Sequence, residues 1–244
     1  MGGRIDDVSK FMWKNIKRHH NDKIAPYAFL SKLCWSKNVY EERDAPYQIQ
    51  LGAMNSKHCV LLGLASWLEY FFEQGYDKKT EFAFGSDGED CPYRINARAA
   101  DLLRTIFESE DFVELLAEAE REGSKKGTHS IRKYGASVCA EAGIANHMIE
   151  RRFCWKQKRQ SDTYIDLNLE WPDAKCAAAL CVGGCICYHL KEEAHLSEDW
   201  ILEHVTPNIH RALGRKVALI LGQALLWQIF DPEESKVLPT KWVS

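Results

Sequence analysis

Between His58 and Phe72 the chain carries Leu61, Leu62, Leu64, Leu68, Phe71 and Phe72, with Glu69 as the only carboxylate among them. A segment so apolar on every side reads as a buried helix, and Gly75 just beyond it is a residue type that closes helices. A buried helix needs other elements packed all round it. The chain has the material for such a core: 244 residues, 45% of them hydrophobic, which argues against disorder and fits one large domain or two small ones. A second apolar run, Val217 to Phe230, is too short to span a membrane and contains Gln223 and Gln228. It is expected to pack on the domain.

The remaining periodicities are mixed. Arg4 to Ile16 has helical spacing, through Ile5, Val8, Phe11, Met12 and Trp13. Ile24–Leu33 and Asp44–Leu51 alternate like short strands, with Trp35-Ser36-Lys37-Asn38 as a turn between them. Asn96–Phe107 and Asp111–Glu120 are amphipathic helices. His129–Ala142 is another, ended by Gly143, and Ile144–Phe153 is a short one. Thr163–Trp171 is ambiguous, since Ile165, Leu167, Leu169 and Trp171 alternate while Pro172 and the alanines after it favour helix. Helices follow at Ser197–Val205 and Asn208–Ile229. The predicted fold class is α+β, mainly helical, with a small sheet or hairpin near the N-terminus. The predicted division is a domain over 1–175 and a helical extension over 176–244.

The net charge of −3 argues mildly against a nucleic-acid partner, because phosphate contacts favour a basic face. The distribution argues the other way. Lys10, Lys14, Lys17, Arg18, His19, His20 and Lys23 form one basic stretch. Lys125, Lys126, Arg132 and Lys133 form another, and Arg151, Arg152, Lys156, Lys158 and Arg159 the densest, while acids dominate from Glu108 to Glu122. The N-terminus has no apolar stretch of the signal-peptide kind, so the nine cysteines are expected to be reduced intracellular thiols. They show no paired Cys-x-x-Cys spacing, and no metal site is expected.

The most informative stretch is Gly127-Thr128-His129-Ser130-Ile131-Arg132-Lys133-Tyr134-Gly135-Ala136. Ala142-Gly143-Ile144 follows, then Trp155, then Tyr164, nine residues after Trp155 and 32 after Arg132. This series resembles the His-x-x-Arg box, the third conserved position and the nucleophilic tyrosine of the tyrosine recombinases, or phage integrases, in the variant that carries Trp at the third position. Arg4-Ile5-Asp6-Asp7-Val8-Ser9-Lys10 is similar to the box of the first catalytic arginine, with Asp7 as the acid three residues later. Lys37 sits in a turn between strand-like segments, as the family's catalytic lysine does. The resemblance covers roughly residues 1–175.

The resemblance implies the catalytic domain of that family and an enzyme that cuts and rejoins DNA through a 3′-phosphotyrosine. Arg4 and Arg132 would clamp the phosphate, since a planar guanidinium donates two bonds to it and is always charged. His129 would be a further donor, and Trp155 would give its indole N–H and pack the wall. Tyr164 would attack phosphorus, and Lys37 would protonate the departing 5′-oxygen. No cofactor is implied. DNA contacts are expected from Lys14, Lys17, Arg18, Lys126, Lys133, Arg151, Arg152 and Lys156.

The implied partners are double-stranded DNA and further copies of the chain, a tetramer in the synaptic complex, with no membrane. The implied context is a mobile element, in the nucleus if the source is eukaryotic and otherwise in the cytoplasm or nucleoid. The family's N-terminal helical clamp domain is not expected here, because the sequence begins almost at the first arginine. The family also leaves open whether the C-terminal helix docks into a neighbouring protomer. Two other functions remain: a non-catalytic relative that only binds DNA or protein, and a type IB topoisomerase-like nicking and resealing enzyme.

Overall fold

The computed structural model describes residues 4–18, 28–33, 45–85, 91–109, 128–155, 170–186 and 196–230. The apolar segment after His58 forms helix α2, Val60–Glu73, with Leu61, Leu64, Ala65, Leu68, Phe71 and Phe72 buried. Burying side chains of this size contributes about 1.5–3 kcal/mol each. Gly75 follows in the left-handed conformation, at φ 68°. Against α2 lie α8 (Pro207–Leu213) and α9 (Arg215–Phe230), and α7 (Glu198–His204) packs on both of these. Their buried residues Ile201, Leu202, Ile209, Leu221 and Leu225 join those of α2, together with Phe11, Ile16 and Phe29.

Glu69 explains how this core tolerates a buried carboxylate. Its oxygens accept the Asn208 and Ile209 backbone N–H groups at 2.9 Å, and the Asn208 side-chain amide at 2.7 Å. These N–H groups stand free at the start of α8, where the helix dipole also favours an anion. Arg211 on α8 returns the bond, donating to the Phe72 carbonyl at 2.9 Å near the end of α2.

A three-stranded antiparallel sheet, β1 (Lys17–Arg18), β2 (Phe29–Lys32) and β3 (Tyr47–Gln50), runs in the order β1-β2-β3. Its buried amides are anchored: Gln50 donates to Ser31 at 2.8 Å, and Gln48 donates to the Arg152 carbonyl at 2.8 Å. Helices α4 (Thr128–Glu141), α5 (Asn146–Arg152) and α6 (Glu170–Ala179) form a second group, joined through Cys139, Ile149, Phe153 and Cys176. Helix α6 lies against β3. The two-residue strands β4 (Gly52–Ala53) and β5 (Cys185–Ile186) pair antiparallel, and α1 (Ile5–Ser9) packs on α3 (Pro92–Phe107). The chain is therefore mainly helical with a small antiparallel sheet. Among the described residues no helix is long and apolar enough to cross a membrane.

Several expectations change. The helix expected over Arg4–Ile16 stops at Ser9, because the next residues pair elsewhere: Ala83 donates to the Phe11 carbonyl at 2.7 Å, and the Trp13 indole donates to the Thr80 carbonyl at 3.1 Å. The helix expected over Asn208–Ile229 is two, broken at Gly214 with φ 81°. The C-terminal helices share one core with α2. The helix expected at Asp111–Glu120 and the Lys37 turn lie outside the described residues.

Candidate active site

Helix α4 places His129, Arg132, Lys133, Ala136, Ser137 and Ala140 along one wall of a cavity of about 940 Å³. The helix ends in a Schellman turn, in which Gly143 donates to the Ala140 carbonyl and Ile144 to the Cys139 carbonyl, both at 3.0 Å. Gly143 takes φ 73° there, which a side chain would oppose. The reversal sends α5 back along α4, so that Asn146, Ile149 and Glu150 form the facing wall.

A second Schellman turn ends α5. Cys154 donates to the Arg151 carbonyl at 3.1 Å, and Trp155 to the Glu150 carbonyl at 2.8 Å. Its left-handed position is held by Cys154, at φ 51°, where glycine is usual. This turn carries Trp155 to the cavity, half exposed, and presents the Phe153 carbonyl to Arg132.

Arg132 is held from three sides. It donates through Nη2 to the Phe153 carbonyl. Its Nη1 lies 3.5 Å from Asp7 Oδ2, an ion pair with side chains 9% and 3% exposed. Its guanidinium lies 5.7 Å from the ring centres of both Phe153 and Trp155. The same Asp7 oxygen accepts the Arg4 backbone N–H at 2.8 Å. Asp7 thus ties the start of α1 to α4, and Arg4 lines the same cavity.

Burial pulls the Arg132 guanidinium below its ordinary value. Asp7 opposes that, and the Arg4 charge adds to the lowering. An arginine stays protonated regardless, so two cations share this end of the cavity with one carboxylate. Among the described residues Arg132 Nη1 has no hydrogen-bond acceptor. That atom is buried and faces Asp7, in the ion pair already described.

No family model, curated protein or solved structure matches the chain.

Of the residues singled out in the sequence, Arg4, His129, Arg132 and Trp155 line one cavity, and Asp7 supports it from behind. Lys133 is exposed on the same wall. Lys37, Lys126, Lys156 and Tyr164 lie outside the described residues. Lys14 pairs with Glu81 at 3.2 Å, and Lys17 donates to the Tyr47 hydroxyl at 3.2 Å. Neither of them, nor Arg18, lines the cavity.

Arg151 and Arg152 correct the expectation of a DNA-facing basic run, since they are 7% and 2% exposed. Arg152 Nη1 donates to Asp173 at 2.6 Å and to the Ile49 carbonyl at 2.8 Å, pinning α5 to α6 and β3. The face of this short helix that meets the sheet and α6 is closed to solvent, and an arginine there is buried with a partner. Sequence reasoning passed over Asn146 and Glu150. Their only signal was a four-residue spacing on the predicted helix between the His-x-x-Arg box and Trp155.

Proposed function

We propose that this chain is the catalytic domain of a tyrosine recombinase that cuts and rejoins DNA through a 3′-phosphotyrosine at Tyr164. The observation that carries the reading is that Arg4, from the start of α1, lines one cavity with His129 and Arg132 of α4 and with Trp155 at the end of α5. The family resemblance demands those four residue types at one site.

The chemistry follows from the charges. Arg4 and Arg132 neutralise the non-bridging oxygens of the scissile phosphate, and their fixed placement makes that stabilisation available without reorganisation. His129 and the Trp155 N–H donate to the same group. The Tyr164 hydroxyl gives up its proton to solvent, which the cationic site eases, and its oxygen bonds to phosphorus while the bond to the 5′-oxygen breaks. Lys37 supplies the proton that the 5′-oxygen takes. A 5′-hydroxyl from another strand then attacks the phosphotyrosine and releases Tyr164. Duplex DNA and further copies of the chain are the partners this reaction requires.

The test is a nicked suicide duplex, from which the short downstream fragment carrying the freed 5′-hydroxyl diffuses away. A covalent protein–DNA adduct should form, should map to Tyr164, and should vanish in Tyr164→Phe. No adduct from the intact chain would favour the non-catalytic, DNA-binding alternative. An adduct with supercoil relaxation but without strand exchange would favour the topoisomerase-like alternative.

A further inference from the structure

Two pairs of cysteines lie close together in the described residues. Cys139 and Cys176 meet between α4 and α6, and neither has any exposed surface. That pair is sealed from an oxidant dissolved in water. Cys181 and Cys185 are placed differently. Both belong to the turn between α6 and β5, and neither lines the candidate active site. Cys185 is exposed and Cys181 is half-buried.

Backbone bonds pin this turn. The Cys181 carbonyl accepts the Gly184 N–H at 2.9 Å. The turn is then tied to β4 and the residues after it, because the Gly184 carbonyl accepts the Met54 N–H at 2.9 Å and the Val182 carbonyl accepts the Asn55 N–H at 3.1 Å. Gly183 and Gly184 make the reversal possible, at φ 79° and 109°, which a side chain would oppose. The first of these bonds closes a turn whose ends, the Cα atoms of Cys181 and Gly184, lie within about 7 Å. Cys185 is the next residue. Its thiol donates to the Ala178 carbonyl at 3.8 Å, and the same carbonyl accepts the Cys181 N–H at 3.1 Å. The two thiols are therefore held together on a fixed backbone, and the Cys185 thiol perturbs the ionisation of Cys181. A disulfide needs Cα atoms about 4.4–6.8 Å apart, a span within the reach of such a turn.

We propose that Cys181 and Cys185 are a redox-active dithiol, oxidised by hydroperoxides to an intramolecular disulfide that joins the end of α6 to the start of β5. The exposed Cys185 sulfur reacts first. As a thiolate it attacks one peroxide oxygen, an S–O bond forms, the O–O bond breaks, and the departing hydroxide takes a proton from solvent to become water. Cys181 is slow in that step, because burial first and the neighbouring Cys185 charge second push its thiol up to about 12. The Cys185 sulfenic acid is neutral, so the second cause is gone once it has formed. The Cys181 sulfur then bonds to the Cys185 sulfur while the S–O bond breaks, and the leaving oxygen takes up the Cys181 proton as water. Two electrons pass from the sulfurs to the peroxide. This proposal does not depend on the recombinase reading.

The experiment exposes the whole reduced chain to hydrogen peroxide, alkylates the remaining thiols in denaturant and maps the tryptic digest by mass spectrometry. Residues 176–191 form one tryptic peptide, with Cys176, Cys181, Cys185 and Cys187. That peptide should lose two alkylation sites and two hydrogens, fragmentation should place the bond between Cys181 and Cys185, and dithiothreitol should restore both sites. Cys181→Ser should stop at the Cys185 sulfenic acid, which dimedone captures, and Cys185→Ser should leave Cys181 open to alkylation. A bond from either residue to Cys59 or Cys187, a link between two chains, or a dimedone adduct on Cys185 as the main product of the unaltered chain overturns the proposal. So does oxidation of Cys139 and Cys176, which would link two tryptic peptides, ahead of Cys181 and Cys185.

Discussion

Arg132 is satisfied by three different kinds of partner: a helix-end carbonyl, a carboxylate and two aromatic faces. A lysine cannot replace it, because a single ammonium cannot span the Phe153 carbonyl and Asp7 while still facing a phosphate. Arg132→Lys should therefore cut suicide-substrate cleavage by about 10² or more, as removal of one preorganised donor does. Near-normal cleavage would remove Arg132 from the site. Cys154 behind it makes a separate prediction. Burial, with a smaller push from Asp7, raises its thiol from an ordinary 9.0 to about 11. The folded chain keeps a proton that the unfolded chain releases. The stabilisation is whole below about pH 9 and is lost as pH rises toward 11. Urea midpoints should fall less steeply over that window in Cys154→Ser, whose hydroxyl does not titrate there. Parallel slopes would show that the thiol is not shielded as described.

At the scale of elements, close approach between helices decides which glycines matter. A Cβ on Gly222 of α9 would lie 2.5 Å from Ile201 Cγ2 on α7 and 3.1 Å from the Thr206 hydroxyl. That hydroxyl donates to the Ala218 carbonyl one turn earlier, so it cannot move aside freely. Isoleucine is also stiff at χ1. Gly222→Ala should destabilise by about 1–3 kcal/mol through overpacking, despite alanine's better helix propensity. Ile201→Leu moves the branch off Cβ, so the double variant should lose less than the two single variants added together. Full additivity in urea denaturation would place the helices farther apart than described here.

At the scale of the whole molecule, charge is sorted by burial as well as by sequence position. Arg152 is part of the framework, since it and Asp173 are 2% and 3% exposed and join three elements. Arg152→Glu should cost about 3–5 kcal/mol, because two like charges are then buried face to face. Lys133, exposed on the cavity wall, is the residue whose loss should be read in DNA binding. Lys133→Ala should leave stability unchanged and lower the salt slope of DNA affinity by about 0.9, one phosphate contact. A wild-type slope in a folded Lys133→Ala chain would move the DNA face away from the cavity.

What the sequence by itself determined was local and periodic. Helix α2, its glycine stop, α4 with Gly143 after it, and the β2 and β3 strands all follow from spacing and turn chemistry. The candidate site came instead from a family resemblance, and of its residues the fold places Arg4, His129, Arg132 and Trp155 round one cavity. Tertiary structure decided the rest. Phe11 and Trp13 left a helical pattern because bonds to residues 80–83 were available. Gly214 split the one expected helix into two, and the α8 half then met Glu69. Arg151 and Arg152 look like surface cations in a basic run, and Asn146 and Glu150 look like ordinary polar positions. Which pair turns inward and which lines the cavity depends on how α5 lies against β3, α4 and α6, and no periodicity within seven residues encodes that. A side chain's residue type sets which partners it can satisfy, whereas its burial is set by neighbours that are remote in the chain.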